Sequence, residues 1–211
     1  MPPDKYLSES EQQKLCHHVT IKADAARYRK HTRAVIDEMI ILTLLNTGLR
    51  ASELCNLQIG DLPIGGDKNL IYVRTGKGKT KRTVEIGSKF TKKLRQFVRK
   101  YRKSTGVSDY LFISERNTEY KAYCYFSVYS KVKRIGRDAG IKTLTPHVLR
   151  HTYLTRLYNV ERDLRFVQDQ AGHCSPITTA IYAKTDQKNR RRQVEALEKQ
   201  QNPSKDDHDD L

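Results

Sequence analysis

The chain has 211 residues, of which 37% are hydrophobic and 30% are charged, so it has enough apolar material for a folded core. Its 40 Lys and Arg residues against 24 Asp and Glu residues give a formal net charge of +16. No apolar run reaches the roughly 18–20 residues that a membrane span needs, and the first residues lack the apolar segment of a signal peptide. Four cysteines without a C-x-x-C pair argue against a zinc module and against a disulfide scaffold, and suit a reducing cytoplasm.

The positive charge is concentrated in one segment. Between Arg74 and Lys103 the chain has thirteen basic residues and a single acidic one, Glu85. Such a segment repels itself unless a polyanion neutralises it, and each phosphate contact to nucleic acid releases condensed counterions. The alternative is a charged surface that only keeps the protein in solution. We favour nucleic acid because the same run contains a Gly-rich turn and the chain has a pI of about 9.7.

The N-terminal part of the sequence predicts helices with clear start and stop signals. Ser8 and Glu11 form a capping box, which opens a helix through about Val19. A polar stretch over 22–30 then leads to a strongly apolar helix over 34–46. Gly48 is a natural residue to end that helix, because glycine adopts the left-handed conformation without strain.

The middle of the chain predicts the one sheet. A short helix begins at Ser52, and a Gly- and Pro-containing turn occupies 61–67. The β-prone runs 70–73 and 83–86 flank a Gly-rich turn and are typical of a hairpin. The following apolar residues recur at helical spacing up to Tyr101, and a short apolar run over 110–113 could be an edge strand.

The C-terminal part predicts further helices. One runs over 123–139, another begins at Thr145-Pro146, a third extends from the cap Asp163 to Gln170, and Gly172 ends it. More helices are expected from Ser175 and over 187–200. We therefore expect an α+β fold, mainly α-helical with a small antiparallel β-sheet, as one domain over 1–200 with a disordered acidic tail over 201–211.

Six side chains spread along the chain form a set suited to a phosphodiester: Arg50, Lys77, His147, Arg150, His173 and Tyr182. Paired guanidinium groups can hold the non-bridging oxygens on which charge develops, and a nearby positive charge or base can activate a phenol. A desolvated lysine can protonate a departing alkoxide. The sequence has no dense Asp/Glu cluster of the kind that holds two Mg²⁺ ions, so no metal site is expected and the arginines would neutralise the phosphate.

Four motifs that contain these residues resemble those of the tyrosine recombinase (phage integrase) family. Thr47-Gly48-Leu49-Arg50-Ala51-Ser52-Glu53-Leu54 looks like its first arginine box, and Gly76-Lys77-Gly78 looks like its hairpin lysine. His147-Val148-Leu149-Arg150-His151-Thr152 is similar to its H-x-x-R-H box. Ala171-Gly172-His173, with Tyr182 nine residues later, matches its terminal G-H…Y segment. The four motifs come in the family's order, and the resemblance implies the catalytic-domain fold of that family.

The resemblance also implies roles for the six residues. Tyr182 would attack the scissile phosphate of duplex DNA and form a 3′-phosphotyrosyl link, while Arg50 and Arg150 hold the non-bridging oxygens. Lys77 would be the general acid, with Lys79 and Lys81 as rivals for that role. His147 and His173 would assist proton transfer. The family needs no metal, ATP or other cofactor.

Several further residues receive supporting roles. Glu53 would orient Arg50 or its helix, and the basic side chains Lys79, Lys81 and Arg82 would bind DNA. His151 is expected to be structural. Of the other tyrosines, Tyr153 and Tyr158 fall inside a predicted helix and are expected to pack in the core. Cys174 beside His173 suggests a metal or thiol site, which we do not favour because no other ligand has suitable spacing.

The leading hypothesis is a site-specific DNA recombinase that acts as a homotetramer on DNA in the cytoplasm, associated with the nucleoid, and accessory proteins could join it. Most family members carry a helical DNA-clamping domain before the catalytic part. This chain is expected to begin almost directly at that part, as an excised domain or a minimal recombinase, and to bind DNA in a more salt-sensitive way. The alternatives are a type IB topoisomerase-like enzyme, which relaxes DNA as a monomer, and a DNA-binding module without catalysis.

Overall fold

The computed structural model of the chain describes residues 6–66, 68–74, 81–102, 106–114, 121–161 and 163–172. Four of the predicted site residues lie outside these ranges: Lys77, Lys79, His173 and Tyr182. The helices predicted from Ser175 onward and the tail predicted over 201–211 also lie outside them.

The first helix, α1 (Glu9–Tyr28), begins at the predicted capping box. Its first turn is closed by two reciprocal hydrogen bonds, in which the Glu11 backbone N–H donates to the Ser8 hydroxyl and the Ser8 N–H donates to the Glu11 carboxylate. The prediction that this helix ends near Val19 was wrong, because it continues through the polar stretch. Small apolar side chains at Ala23 and Ala26 give that stretch a buried face against the next helix, and tertiary packing of such a face stabilises the helix.

Helix α2 (Arg33–Thr47) lies in the centre of the core. Its apolar side chains are buried around most of the helix, which explains the unbroken apolar sequence. Gly48 ends α2 in the left-handed conformation, with φ of +61°, as predicted. Three residues later the short helix α3 (Ala51–Cys55) begins.

The predicted hairpin consists of strands β1 (Leu70–Val73) and β2 (Arg82–Glu85). They pair antiparallel, and the register places Val73 opposite Arg82. Helix α4 (Ser88–Tyr101) follows, with its apolar side on the core.

The remaining elements complete the helical layer. Strands β3 (Ile113–Ser114) and β4 (Lys121–Ala122) form a second, very short antiparallel pair near the predicted edge strand. They are followed by α5 (Tyr125–Asp138), α6 (Pro146–Glu161) and α7 (Leu164–Ala171).

The start and stop signals predicted for α6 and α7 are confirmed. The Val148 N–H donates to the Thr145 hydroxyl at 3.2 Å, and two N–H groups at the start of α7 donate to the Asp163 carboxylate at 2.8 and 3.1 Å. Gly172 ends α7 in the left-handed conformation. The fold is therefore mainly α-helical with small antiparallel strand pairs, as the sequence predicts. No helix in the described ranges is long and apolar enough to cross a bilayer.

Candidate active site

The end of helix α7 gathers three arginines from three other parts of the chain. Arg82 Nε donates to the Gln170 carbonyl at 3.1 Å, and Arg150 Nη2 donates to the Ala171 carbonyl at 2.7 Å. Arg50 Nη2 lies 3.4 Å from the next carbonyl oxygen, that of Gly172. The last carbonyls of a helix have no partner within the helix, so they are ready acceptors for such side chains.

Arg150 also fixes the loop that contains the first arginine box. Its Nη1 donates to the Gly48 carbonyl at 2.6 Å, and the residue is only 5% exposed. One guanidinium group therefore ties the end of α2 to the end of α7. The two arginines predicted to hold a phosphate are thus brought to adjacent carbonyls of one turn, although 100 positions separate them in sequence.

Glu53 orients Arg50 from the first turn of α3. The Arg50 backbone N–H donates to Glu53 Oε2 at 2.8 Å, and Arg50 Nη1 donates to Oε1 at 2.9 Å. The Arg50 side chain remains 44% exposed, whereas that of Glu53 is 8% exposed. Arg50 is therefore held on its protein side and open to solvent on the other.

Arg82 meets the same carboxylate from the hairpin. Its Nη1 and Nη2 donate to Glu53 Oε1 and Oε2 at 2.8 and 2.9 Å, and the side chain is 10% exposed. The sequence predicts Arg82 as a DNA contact, but the structure directs its guanidinium group inward, to Glu53 and Gln170. Lys81, the neighbouring predicted DNA contact, is exposed.

The surroundings keep Glu53 ionised. Burial alone would raise the pKa of its carboxyl group, but the hydrogen bonds and charge of Arg82, together with those of Arg50, lower that pKa to about 2. The carboxylate is therefore a permanent negative charge between two guanidinium groups at any pH near neutrality.

Two glycines allow the close approach of these elements. A Cβ atom on Gly48 would lie 2.4 Å from Cδ1 of Tyr153, and one on Gly172 would lie 2.9 Å from Cδ of Arg82. Both glycines also have positive φ, which disfavours any other residue. Tyr153 packs against the first arginine box here, and burial raises its pKa to about 12. It is thus a structural residue, in keeping with its predicted place in the core, and a poor candidate nucleophile.

His147 lies at the start of α6 and is exposed. Its Nε2 atom is 2.8 Å from Nε2 of His151, one turn further along the helix, and the two rings meet edge to face. Because one nitrogen must donate and the other accept, each ring influences which tautomer the other adopts. His151, expected only to be structural, is therefore linked directly to a predicted proton-transfer residue.

The roles of Arg82 and Tyr153 beside the arginine box were not predicted from the sequence. For Arg82 a signal existed, since residues two apart in a strand share a face and Val84 and Ile86 are both apolar. That alternation places Arg82 on the inward side of the hairpin, and Val84 and Ile86 are indeed buried. For Tyr153 no local pattern could show that it packs on Gly48.

The described residues offer cationic rather than metal-binding chemistry. Across the described ranges, no group of three or more His, Cys, Asp or Glu side chains is placed to hold a metal ion. What the described part of the site provides is guanidinium N–H groups from two arginines on one turn and an imidazole pair. Such donors suit an oxyanion with several oxygens, above all a phosphodiester.

Comparisons with known proteins find tyrosine recombinases among the relatives of this chain. The chain is 37% identical over 90% of its length to tyrosine recombinase XerA of Pyrococcus furiosus, of which it covers 61%. The crystal structure of a XerA recombinase has a TM-score of 0.73 at 31% identity and covers 93% of this chain and 65% of that one. A XerH site-specific recombinase bound to its difH substrate has a TM-score of 0.66 at 26% identity and covers 85% of this chain and 50% of that one.

The match to a protein-family model extends over nearly the whole chain. The model of the phage integrase family matches residues 5–189, a range that contains all four motifs and all six predicted catalytic residues. The chain spans about three fifths of the length of the Pyrococcus relative. With the family model matched over most of its residues and its fold shared with the XerA structure, this chain belongs to the phage integrase family.

Proposed function

We propose that this chain is the catalytic part of a site-specific DNA recombinase, which cleaves and rejoins DNA strands through a 3′-phosphotyrosyl intermediate. The observation that carries the proposal is the convergence of Arg50 and Arg150 on adjacent carbonyls at the end of α7. In the sequence, His173 follows this turn directly, and Tyr182 comes nine residues after His173. The two guanidinium groups thus lie at the start of the segment that contains the proposed nucleophile.

In the proposed reaction, Tyr182 Oη attacks the phosphorus atom and the bond from phosphorus to the 5′-oxygen breaks. Arg50 and Arg150 hold the non-bridging oxygens while their negative charge increases. Lys77 gives a proton to the departing 5′-oxygen, and His147 and His173 assist with the phenolic proton and hydrogen-bond the phosphate. A 5′-hydroxyl of the partner strand then reverses the step and rejoins the DNA in a new combination.

Duplex DNA is the proposed partner, bound by the basic segment that begins at Arg74. Lys81 is exposed beside the hairpin, and Lys79 comes two residues before it in the sequence. Strand exchange between two duplexes needs four active sites, so we propose a homotetramer assembled on DNA. The XerH relative was solved in complex with a DNA substrate, which supports DNA as the partner of this fold.

Covalent capture tests this function. The protein is incubated, in buffer with EDTA, with a pool of nicked suicide duplexes of randomised sequence, and the captured duplexes are sequenced to define a preferred site. We expect a protein–DNA band that survives denaturing electrophoresis. Tyr182→Phe should abolish the band, and Tyr153→Phe should retain it because Tyr153 packs inside the fold. A band from Tyr182→Phe would refute the assigned nucleophile, and no band from the wild-type protein would favour a binding module.

A second assay separates recombination from DNA relaxation. A plasmid with the captured site and one without it are incubated with the protein, and topology and oligomeric state are followed by gel electrophoresis and sedimentation. Recombination predicts assembly and strand exchange on the plasmid with the site. Relaxation of both plasmids by a monomer would instead show a topoisomerase.

A further inference from the structure

We infer that Arg82 is a positioning residue of this active site, which lets Glu53 orient Arg50 without neutralising it and fixes the base of the hairpin against α7. The inference rests on the proposed function and gives Arg82 a role other than the DNA contact expected from the sequence. It is argued from the contacts of Glu53, the charges around it and the elements that Arg82 joins.

The Glu53 carboxylate has its full set of hydrogen bonds. Each oxygen accepts two, one from Arg50 and one from Arg82, at distances between 2.8 and 2.9 Å. A carboxylate offers about four lone-pair positions, so this cluster fills them. Arg82 binds the carboxylate as a two-pronged fork, in which Nη1 and Nη2 donate in parallel to the two oxygens. A lysine ammonium group cannot reproduce that geometry.

The charges in the cluster explain why two arginines share one carboxylate. If Glu53 paired with Arg50 alone, its negative charge would offset the positive charge that Arg50 must present to a phosphate. With Arg82 on its other side, the group of three keeps a net charge of +1. Arg82 is 10% exposed and Arg50 is 44% exposed, so the remaining charge is accessible at Arg50.

Arg82 also connects the elements that position the rest of the site. It is the first residue of β2, and its Nε donates to the Gln170 carbonyl at 3.1 Å. Gly172 packs on the same guanidinium group, where a Cβ atom would lie 2.9 Å from Nη1. Lys77, the proposed general acid, precedes Arg82 by five residues in the sequence, so the position of Arg82 limits how far from it Lys77 can lie.

The test compares Arg82→Gln and Arg82→Lys with the wild-type protein in single-turnover cleavage of the captured suicide duplex. Loss of the fork should slow formation of the covalent complex by roughly tenfold to a hundredfold, as small misplacements of catalytic groups do. The dissociation constant for the same duplex, measured by fluorescence anisotropy, should change less than about twofold. Because the ammonium group restores the charge but not the geometry, Arg82→Lys should recover only part of the rate.

Two control variants distinguish a positioning role of Arg82 from a role in DNA binding and from an effect on the stability of the fold. Lys81→Gln removes the exposed neighbour, and a phosphate contact there should reduce the slope of log K against log salt by about one. Arg82→Gln should leave that slope unchanged. Lys131→Gln breaks an ion pair outside the basic segment, at 2.7 Å to the buried Asp37, and should lower thermal stability without slowing cleavage.

The double variant Glu53→Gln/Arg82→Gln tests the electrostatic part. If Arg82 acts through Glu53, the double variant should cleave at least as fast as Arg82→Gln, because Arg50 no longer faces an uncompensated carboxylate. Rate losses that multiply in the double variant would overturn the inference. So would an Arg82→Gln variant that cleaves normally, or one with a lower salt slope.

Failure of the proposed function would look different from failure of this inference. Without any wild-type cleavage, the proposed function fails, while urea unfolding still measures the coupling between Glu53 and Arg82 in the free protein. Strong coupling between Glu53 and Arg82 in unfolding would support Arg82 as an anchor of the hairpin. Additive effects of the two substitutions on the free energy of unfolding would refute that role as well.

Discussion

Gly48 should tolerate no side chain, because two separate physical constraints meet there. Its φ of +61° places any other residue in the left-handed region, which costs an alanine about 1–2 kcal/mol. An added Cβ atom would also lie 2.4 Å from the Tyr153 ring, and overpacking of this kind costs about 1–3 kcal/mol. Gly48→Ala should therefore lose about 2–5 kcal/mol of the free energy of unfolding, which in a chain of this size is a fall in Tm of roughly 4–20 °C.

A second glycine separates the two contributions. Gly140 has φ of +72°, and a Cβ atom there would meet only the flexible end of Lys14, at 3.0 Å from Nζ. Gly140→Ala should therefore show the backbone cost alone, about 1–2 kcal/mol. Urea unfolding of both variants, followed by circular dichroism, gives the difference that packing on Tyr153 contributes.

The same substitution should affect the reaction. The Gly48 carbonyl accepts a hydrogen bond from Arg150 Nη1 at 2.6 Å, so a backbone shift at Gly48 moves an arginine proposed to hold the phosphate. We expect slower covalent capture from folded Gly48→Ala at a temperature below its Tm. If Gly48→Ala and Gly140→Ala lost equal stability and cleaved alike, the proposed packing of Tyr153 on the arginine box would be refuted.

Three further substitutions or reactions check other parts of the site. The folded-state pKa of Glu53 is about 2 and its usual value is 4.5, so its contribution to stability is lost as the pH falls from about 5 to 2. In an acid titration of the free energy of unfolding, this loss should be about 3 kcal/mol in the wild-type protein and should be absent from Glu53→Gln. His151→Phe should slow single-turnover cleavage more than His151→Gln, which can still hydrogen-bond His147; equal rates would show that the 2.8 Å contact is not used. Iodoacetamide should label the exposed Cys124 before Cys55, as followed by peptide mass spectrometry. The reason is that hydrogen bonding to the serine three residues later lowers the pKa of Cys124, whereas burial raises the pKa of Cys55 to about 11.

Elements with local start and stop signals could be predicted from the sequence. The caps at Ser8, Thr145 and Asp163 and the stops at Gly48 and Gly172 act within a few residues, so their physics is contained in short segments. The end of α1 could not be located in the same way. Its second half is polar on average and becomes helical because a narrow face of alanines packs on α2.

The site residues divide along the same line. Arg50, His147 and Arg150 occur in recognisable motifs, and the structure brings the two arginines to one turn. The alternation with Val84 and Ile86 indicates the inward direction of Arg82, but its partners Glu53 and Gln170 are far away in the sequence, so no sequence window could identify them. Composition pointed the other way, because Arg82 lies within the most basic segment of the chain.

The way in which the arginines are anchored has a consequence for catalysis. Three consecutive carbonyls at the end of α7, those of Gln170, Ala171 and Gly172, accept hydrogen bonds from guanidinium groups. These acceptors carry only partial negative charge. They orient the arginines without cancelling their charges, which a set of carboxylates would do. The one carboxylate in the cluster, Glu53, is itself balanced by Arg82. The site therefore combines fixed geometry with a net positive charge, and both are needed to stabilise the extra negative charge on a phosphate under attack.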